Sequence, residues 1–101
     1  MMTDEKADQG LLAAAGIVKK YSTSEVAKFF NRTDQWVYWV LREGVLDKNG
    51  KRLEAERVGK ANRRRFTLDL IQEMLESLYN RGTISEEEAI AVQAKINAAR
   101  G

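Results

Sequence analysis

The chain contains no proline among its 101 residues, so no ring starts, kinks or stops a helix, and every boundary must be written by caps and glycines. Those signals are present in order. Ser22 with Glu25 three residues on is a capping box, and Tyr21 and Val26 stand at the flanking staple positions, which predicts a helix over residues 23–30. Its apolar face is Val26, Ala27, Phe29 and Phe30, with Lys28 turned to solvent. Asn31 and Arg32 break the pattern, and Thr33 is the N-cap of a second helix over residues 34–43, with Asp34 in its first turn and Gly44 as its stop. Thr67 caps a third helix, with Asp69 in its first turn and Phe66 stapled to Ile71; its apolar positions Leu70, Ile71, Met74, Leu75 and Leu78 recur at core spacing, and Asn80-Arg81-Gly82 ends it. Ser85 with Glu88 is a second capping box, Ile84 and Ala89 its staple, and a fourth helix is predicted over residues 86–99. Ala89, Val92 and Ile96, with Ile90 and Ala94 beside them, make a broad face of mostly small side chains. The last two helices form a helical hairpin over residues 68–99, whose outer surface is either a lid on the core or a dimerisation surface.

Between the second and third helices the punctuation changes. Asp47-Lys48-Asn49-Gly50 carries an Asn-Gly turn signal, and Gly59-Lys60-Ala61-Asn62 is a second turn-rich cluster. Residues 52–58 and 63–67 read as two short strands, the first alternating Leu53, Ala55 and Arg57 against Glu54, Glu56 and Val58, so a β-hairpin with its tip near Lys60 is expected. The predicted fold class is mainly α with a small β-hairpin. One domain over residues 21–101 follows a flexible segment, residues 1–20. Within that segment LLAAAGIVKK, residues 11–20, has the composition of a short helix, although Gly16 costs it about 1 kcal/mol relative to alanine.

Composition removes several function classes. There is no cysteine and no histidine, hence no disulfide framework, thiolate metal site, cysteine nucleophile or imidazole base. No metal and no cofactor are expected. The carboxylates Glu86, Glu87 and Glu88 fall in one helix's first turn, where the macrodipole accounts for them, and the chain is not expected to be an enzyme. The longest apolar run, residues 11–18, is too short to span a bilayer and follows the acidic residues Asp4, Glu5 and Asp8. The expectation is a cytoplasmic protein without a membrane partner.

Charge is unevenly spread although the net value is only +2. Residues 21–67 carry 11 bases and 6 acids, whereas residues 68–101 carry 3 bases and 6 acids. A localised positive field is what a phosphate backbone requires, because each neutralised phosphate releases condensed counterions. The second helix divides into two faces. Val37, Val40 and Leu41, with Trp36 at the edge, form an inward stripe, while Gln35, Tyr38, Trp39 and Arg42 form another at the same helical spacing. Glutamine and arginine make bidentate contacts to base edges, and aromatics reach phosphates or thymine methyls. Tyr38 and Trp39 have a structural alternative, packing under the hairpin or at a dimer interface. The hairpin itself carries Arg57, Lys60, Arg63, Arg64 and Arg65. Cross-strand pairing with Glu54 and Glu56 would account for one or two of these bases but not for all.

The order helix, turn, helix, two-stranded hairpin, helix resembles the winged helix-turn-helix of MerR-like regulators and of the related excisionase and small phage regulator group. Tyr21-Ser22-Thr23-Ser24-Glu25-Val26-Ala27-Lys28 is similar to that family's opening helix. Residues 31–46 align with its turn and recognition helix without a gap, ending in Gly44-x-Leu46, and Arg64-Arg65-Phe66-Thr67 is similar to the closing element of its wing. The resemblance covers residues 21–78 and extends at most to residue 99. It implies that Thr33 caps a recognition helix, that Gln35, Tyr38, Trp39 and Arg42 face DNA, and that Arg63, Arg64 and Arg65 contact phosphates. Departures are clear: the family often has basic residues where this chain has Gln35 and Tyr38, and the linker before the wing is longer than in its shortest members. Neither a long C-terminal coiled coil nor an effector domain is present, so ligand-responsive activation is not expected.

Residues and resemblance together lead to one expectation: a protein specific for double-stranded DNA, with helix 34–43 in the major groove and the basic wing, residues 52–67, on the backbone or minor groove. It would act as a transcriptional regulator or an excisionase-type recombination factor, as a homodimer or cooperative oligomer, and could engage a recombinase. The alternative is a small interaction module that grips a host protein through Trp36, Tyr38 and Trp39.

Overall fold

The computed structural model describes residues 18–101. In chain order it contains helices α1 (Thr23–Phe29) and α2 (Asp34–Glu43), strands β1 (Glu56–Val58) and β2 (Arg63–Arg65), and helices α3 (Leu68–Asn80) and α4 (Glu86–Arg100). The expected short helix at residues 11–20 falls mostly outside the described residues, and residues 18–20 carry no regular structure. None of the helices among the described residues is long and apolar enough to cross a membrane.

Each helix starts where its cap predicts. The Ser22 hydroxyl accepts from the Glu25 amide at 3.2 Å while the Glu25 carboxylate accepts from the Ser22 amide at 2.9 Å, and Ser85 with Glu88 repeats the exchange at α4. Thr33 Oγ1 accepts from the Trp36 amide and Thr67 Oγ1 from the Leu70 amide. Each cap satisfies an amide that has no partner within its own helix. Between α1 and α2 the chain reverses at Asn31, whose φ of 54° lies in the left-handed region that asparagine tolerates. Gly44 closes α2 at φ 97°, a conformation strained for any residue with a Cβ.

α1 packs on α2, α3 packs on α4, and a lighter α1–α4 contact joins the two pairs. The core between them is built from Val26, Phe30, Val37, Val40, Phe66, Ile71, Met74, Leu78 and Ile96, each 3% exposed or less. Burial of such side chains contributes about 1.5–3 kcal/mol apiece. Leu70, expected in the core, is half-buried at its margin, and of the broad face expected on α4, Ile90 and Ala94 are exposed. Val92 and Ile96 anchor that helix as buried residues, with Ala89 half-buried and packed against the same core.

The two strands pair antiparallel in the register Glu56↔Arg65, Arg57↔Arg64 and Val58↔Arg63, around a turn that uses Gly59 and Asn62 at positive φ. They are shorter than the predicted segments 52–58 and 63–67. At the first segment Arg52 bridges back to Leu46, and the Leu53 amide donates to the Val45 carbonyl at 2.7 Å, so residues 52–53 belong to a separate loop closure. Asp47 builds that loop, its carboxylate accepting from the amides of Asn49 and Lys51. At the second segment Phe66 leaves the ladder to exchange both backbone hydrogen bonds with Tyr21, at 2.7 and 2.8 Å. This pair fixes the base of the hairpin to the entrance of α1, which places the hairpin beside α2.

Candidate nucleic-acid interface

Helix geometry splits α2 as its sequence pattern requires. Val37, Val40 and Leu41 are buried, while Gln35, Tyr38, Trp39 and Arg42 are exposed on the other side. Tyr38 and Trp39 are 44% and 41% exposed, so neither is a core residue. Trp36 is different. It is half-buried, its ring 5.3 Å from that of Phe30 and capped by the Arg32 guanidinium at 5.2 Å. The aromatic trio is therefore reduced to an outward pair.

An open groove runs between α2 and the hairpin, where Gln35, Tyr38, Trp39 and Arg42 meet Arg52 and Arg64, with Thr33 at its edge. The Arg64 guanidinium lies over the Tyr38 ring, 5.4 Å from its centroid. That cation–π contact is worth about 0.5–1 kcal/mol at an exposed site and joins the hairpin directly to α2. Arg57, Arg63 and Arg65 line a second depression on the side of α1, together with Ser24 and Asp34. Within it the Ser24 hydroxyl donates to Asp34, and Arg57 donates to the Asn62 carbonyl at 2.9 Å, bracing the hairpin turn. Arg65 donates to the Arg64 carbonyl, and Lys60 is exposed at the tip. The ten residues singled out by sequence thus fall into the α2 groove (Thr33, Gln35, Tyr38, Trp39, Arg42 and Arg64), the α1 side of the hairpin (Arg57, Arg63 and Arg65) and the tip (Lys60).

Local carboxylates leave this surface positive. Glu56 stands opposite Arg65 in the ladder, yet its carboxylate pairs with Lys20. Among the described residues, none of Arg57, Lys60, Arg63, Arg64 and Arg65 is in a salt bridge. An uncompensated row of guanidinium groups beside an exposed Gln–Tyr–Trp–Arg stripe can bind phosphate oxygens and base edges at once.

Two arginines that the sequence reading passed over hold α2 in place. Arg52 Nη2 donates to the carbonyls of Leu41 at 2.8 Å and Arg42 at 3.0 Å, and Arg81 Nη1 donates to the Gly44 carbonyl at 2.7 Å. The last carbonyls of a helix lack partners within it and carry the negative end of its dipole. The signal in the sequence was slight: α2 has Arg42 alone as a cation in its last turn, which leaves its last carbonyls open to donors from elsewhere in the chain or from water. Farther from the groove, Glu88 pairs with Arg32 and Lys95 donates to the Lys28 carbonyl, which ties the α1–α2 unit to α4. The Arg32 hydrogen bond, followed by the Ser85 amide, holds the Glu88 carboxyl below its ordinary range.

Over residues 11–99 the chain matches a domain of unknown function, DUF7229, and belongs to that family. No curated protein and no solved structure matches it.

Proposed function

We propose that this DUF7229 member is a winged helix-turn-helix protein that binds double-stranded DNA, with α2 as the recognition helix in the major groove and the β1–β2 hairpin as a wing on the adjacent backbone or minor groove. The observation that carries the reading is the shared surface of α2 and the hairpin: exposed Gln35, Tyr38, Trp39 and Arg42 beside guanidinium groups that form no salt bridge among the described residues. In this reading Gln35 and Arg42 read base edges, Trp39 meets a thymine methyl or sugar, and Arg63, Arg64 and Arg65 take phosphates. One helix and one wing give modest affinity, so the protein works as a homodimer or with cooperative neighbours. Its role is transcriptional regulation or excisionase-type recombination, where a recombinase would be the protein partner.

Fluorescence anisotropy on a random duplex and on a site selected from a random pool tests this. Arg64→Ala and Arg65→Ala should weaken binding to both duplexes and reduce the slope of log K against log salt by about 1 per lost phosphate contact. Exchange of Gln35 or Arg42 should instead change preference at one or two base pairs, by about 1–3 kcal/mol per contact. If all four variants bind as the parent does, the groove assignment is refuted. A second reading rests on the exposure of Tyr38 and Trp39, which would suit a host-protein interface. A pulled-down partner that survives nuclease treatment and is lost in Trp39→Ala would favour it.

A further inference from the structure

At the C-terminal end of α2 a third depression opens between that helix, the chain leading into β1 and the hairpin, lined by Leu41, Arg52, Glu54, Arg57 and Arg64 among others. Arg57 and Arg64 stand directly opposite each other in the ladder, so their side chains leave the same face of the two strands, and Arg52 adds a third guanidinium from the chain before β1. Glu54 is the one carboxylate that lines the depression, and among the described residues none of the three arginines is in a salt bridge. Three cations gathered around one carboxylate leave an excess of positive charge, which an added anion relieves.

Each guanidinium is held by a contact that leaves donors free. Arg52 uses one nitrogen for the Leu41 and Arg42 carbonyls, at 2.8 and 3.0 Å, and Arg57 uses one for the Asn62 carbonyl at 2.9 Å. Arg64 lies 5.4 Å from the centroid of the Tyr38 ring, and its side chain donates no hydrogen bond among the described residues. Groups restrained before a ligand arrives lose less freedom on binding it, and a phosphate presents the paired oxygens that a guanidinium fork matches. Arg52 has a second effect. A bare helix C-terminus carries partial negative charge that repels a phosphate, whereas Arg52 covers that end of α2 and brings a full positive charge to it. Arg52 and Arg64 also line the α2 groove, so an anion in the depression is contiguous with whatever fills that groove. We propose that Arg52, Arg57 and Arg64 form a preorganised site for one phosphodiester of the DNA backbone beyond the C-terminal end of α2, with Arg52 both a phosphate-binding residue and the cap of the helix. The site rests on the DNA reading above and adds to it Arg52 and a place on the backbone.

Anisotropy titrations of the full chain against a selected duplex, with single phosphates replaced in turn by uncharged methylphosphonates, test the site. In the parent, one neutralised position should weaken binding, and in Arg52→Gln that same position should cause no further loss. Arg52→Gln should lower the slope of log K against log salt by about 1, and Arg52→Lys, which keeps the charge, should restore the parental slope. Arg81→Ala, which uncaps Gly44 but lines neither the groove nor the depression, should leave the slope unchanged. Circular dichroism verifies that each variant is folded at the assay temperature, and Arg57→Gln gives the same readout without touching the helix cap. The site is overturned if Arg64→Ala lowers the slope while Arg52→Gln or Arg57→Gln keeps the parental value, or if every methylphosphonate affects parent and Arg52→Gln alike. An equal loss of slope in Arg81→Ala would also overturn it, because the cap rather than a phosphate contact would then be responsible. A parent that binds no duplex refutes the DNA reading and the site together.

Discussion

Arg52→Ala is the change whose cost is most directly read from the geometry. One guanidinium nitrogen serves two carbonyls at the end of α2, and the Leu41 carbonyl is the part-buried member of the pair. Losing a charged donor to a part-buried acceptor costs about 1.5–3 kcal/mol, whereas the exposed Arg42 carbonyl is rehydrated and adds little. The lost cation at the helix C-terminus adds a few tenths. Because Arg52 is itself exposed, the lower half of that range applies, about 2 kcal/mol, which in a domain of this size lowers the melting temperature by roughly 10 °C. Urea unfolding followed by circular dichroism measures it. Arg52→Lys should fall between, since an ammonium lacks the planar fork. The acceptors are backbone carbonyls, so the penalty should persist in 0.5 M salt, about where exposed ion pairs are screened. An Arg52→Ala variant within about 0.5 kcal/mol of the parent would refute the capping argument.

Two further outcomes are expected. Among the described residues the Tyr21 hydroxyl is buried without a partner, so Tyr21→Phe should leave stability unchanged or raise it by up to about 1 kcal/mol; a loss beyond that in urea unfolding would mean the hydroxyl has a partner. Glu88 is held below its ordinary value of 4.5, so its contribution is present above that pH and is lost as pH falls through the folded-state value. The destabilisation by Glu88→Gln should accordingly be larger at about pH 6 than at about pH 3, and an equal difference at both would refute the pairing with Arg32.

Helix boundaries were legible because their determinants are local. A serine or threonine oxygen three residues ahead of an orphan amide acts over one turn, and Ser22, Thr33, Thr67 and Ser85 all begin helices where expected. Strand limits were less legible because they depend on distant partners. Residues 52–58 read as one strand on alternation alone, but Arg52 is drawn to the end of α2, Leu53 is buried, and only Glu56–Val58 finds a ladder partner. The width of the α4 apolar face was overread for a similar reason: Ile90 has helical spacing relative to the core, yet α3 reaches only the Val92–Ile96 side.

Trp39 marks where sequence reading of the candidate site gives out. On the helical wheel it lies between the buried Val40 stripe and Arg42, so its exposure depends on how far the hairpin closes over α2, and that is set by the Tyr21–Phe66 pair and by Arg64 on Tyr38. The contact with Tyr38 also bears on the proposed role of Arg64. The Arg64 guanidinium carbon lies 5.4 Å from the Tyr38 ring centroid, and among the described residues no hydrogen bond from the Arg64 side chain occupies its N–H donors. Tyr38 thus restrains the guanidinium without consuming its donors, lowering the ordering cost of a phosphate contact. Tyr38→Phe should preserve the contact and the DNA affinity, whereas Tyr38→Ala should weaken binding to all sequences by a factor close to that of Arg64→Ala, with the double variant no worse than either. Additive losses in anisotropy titrations would show that the two side chains act separately and that Tyr38 does not position Arg64.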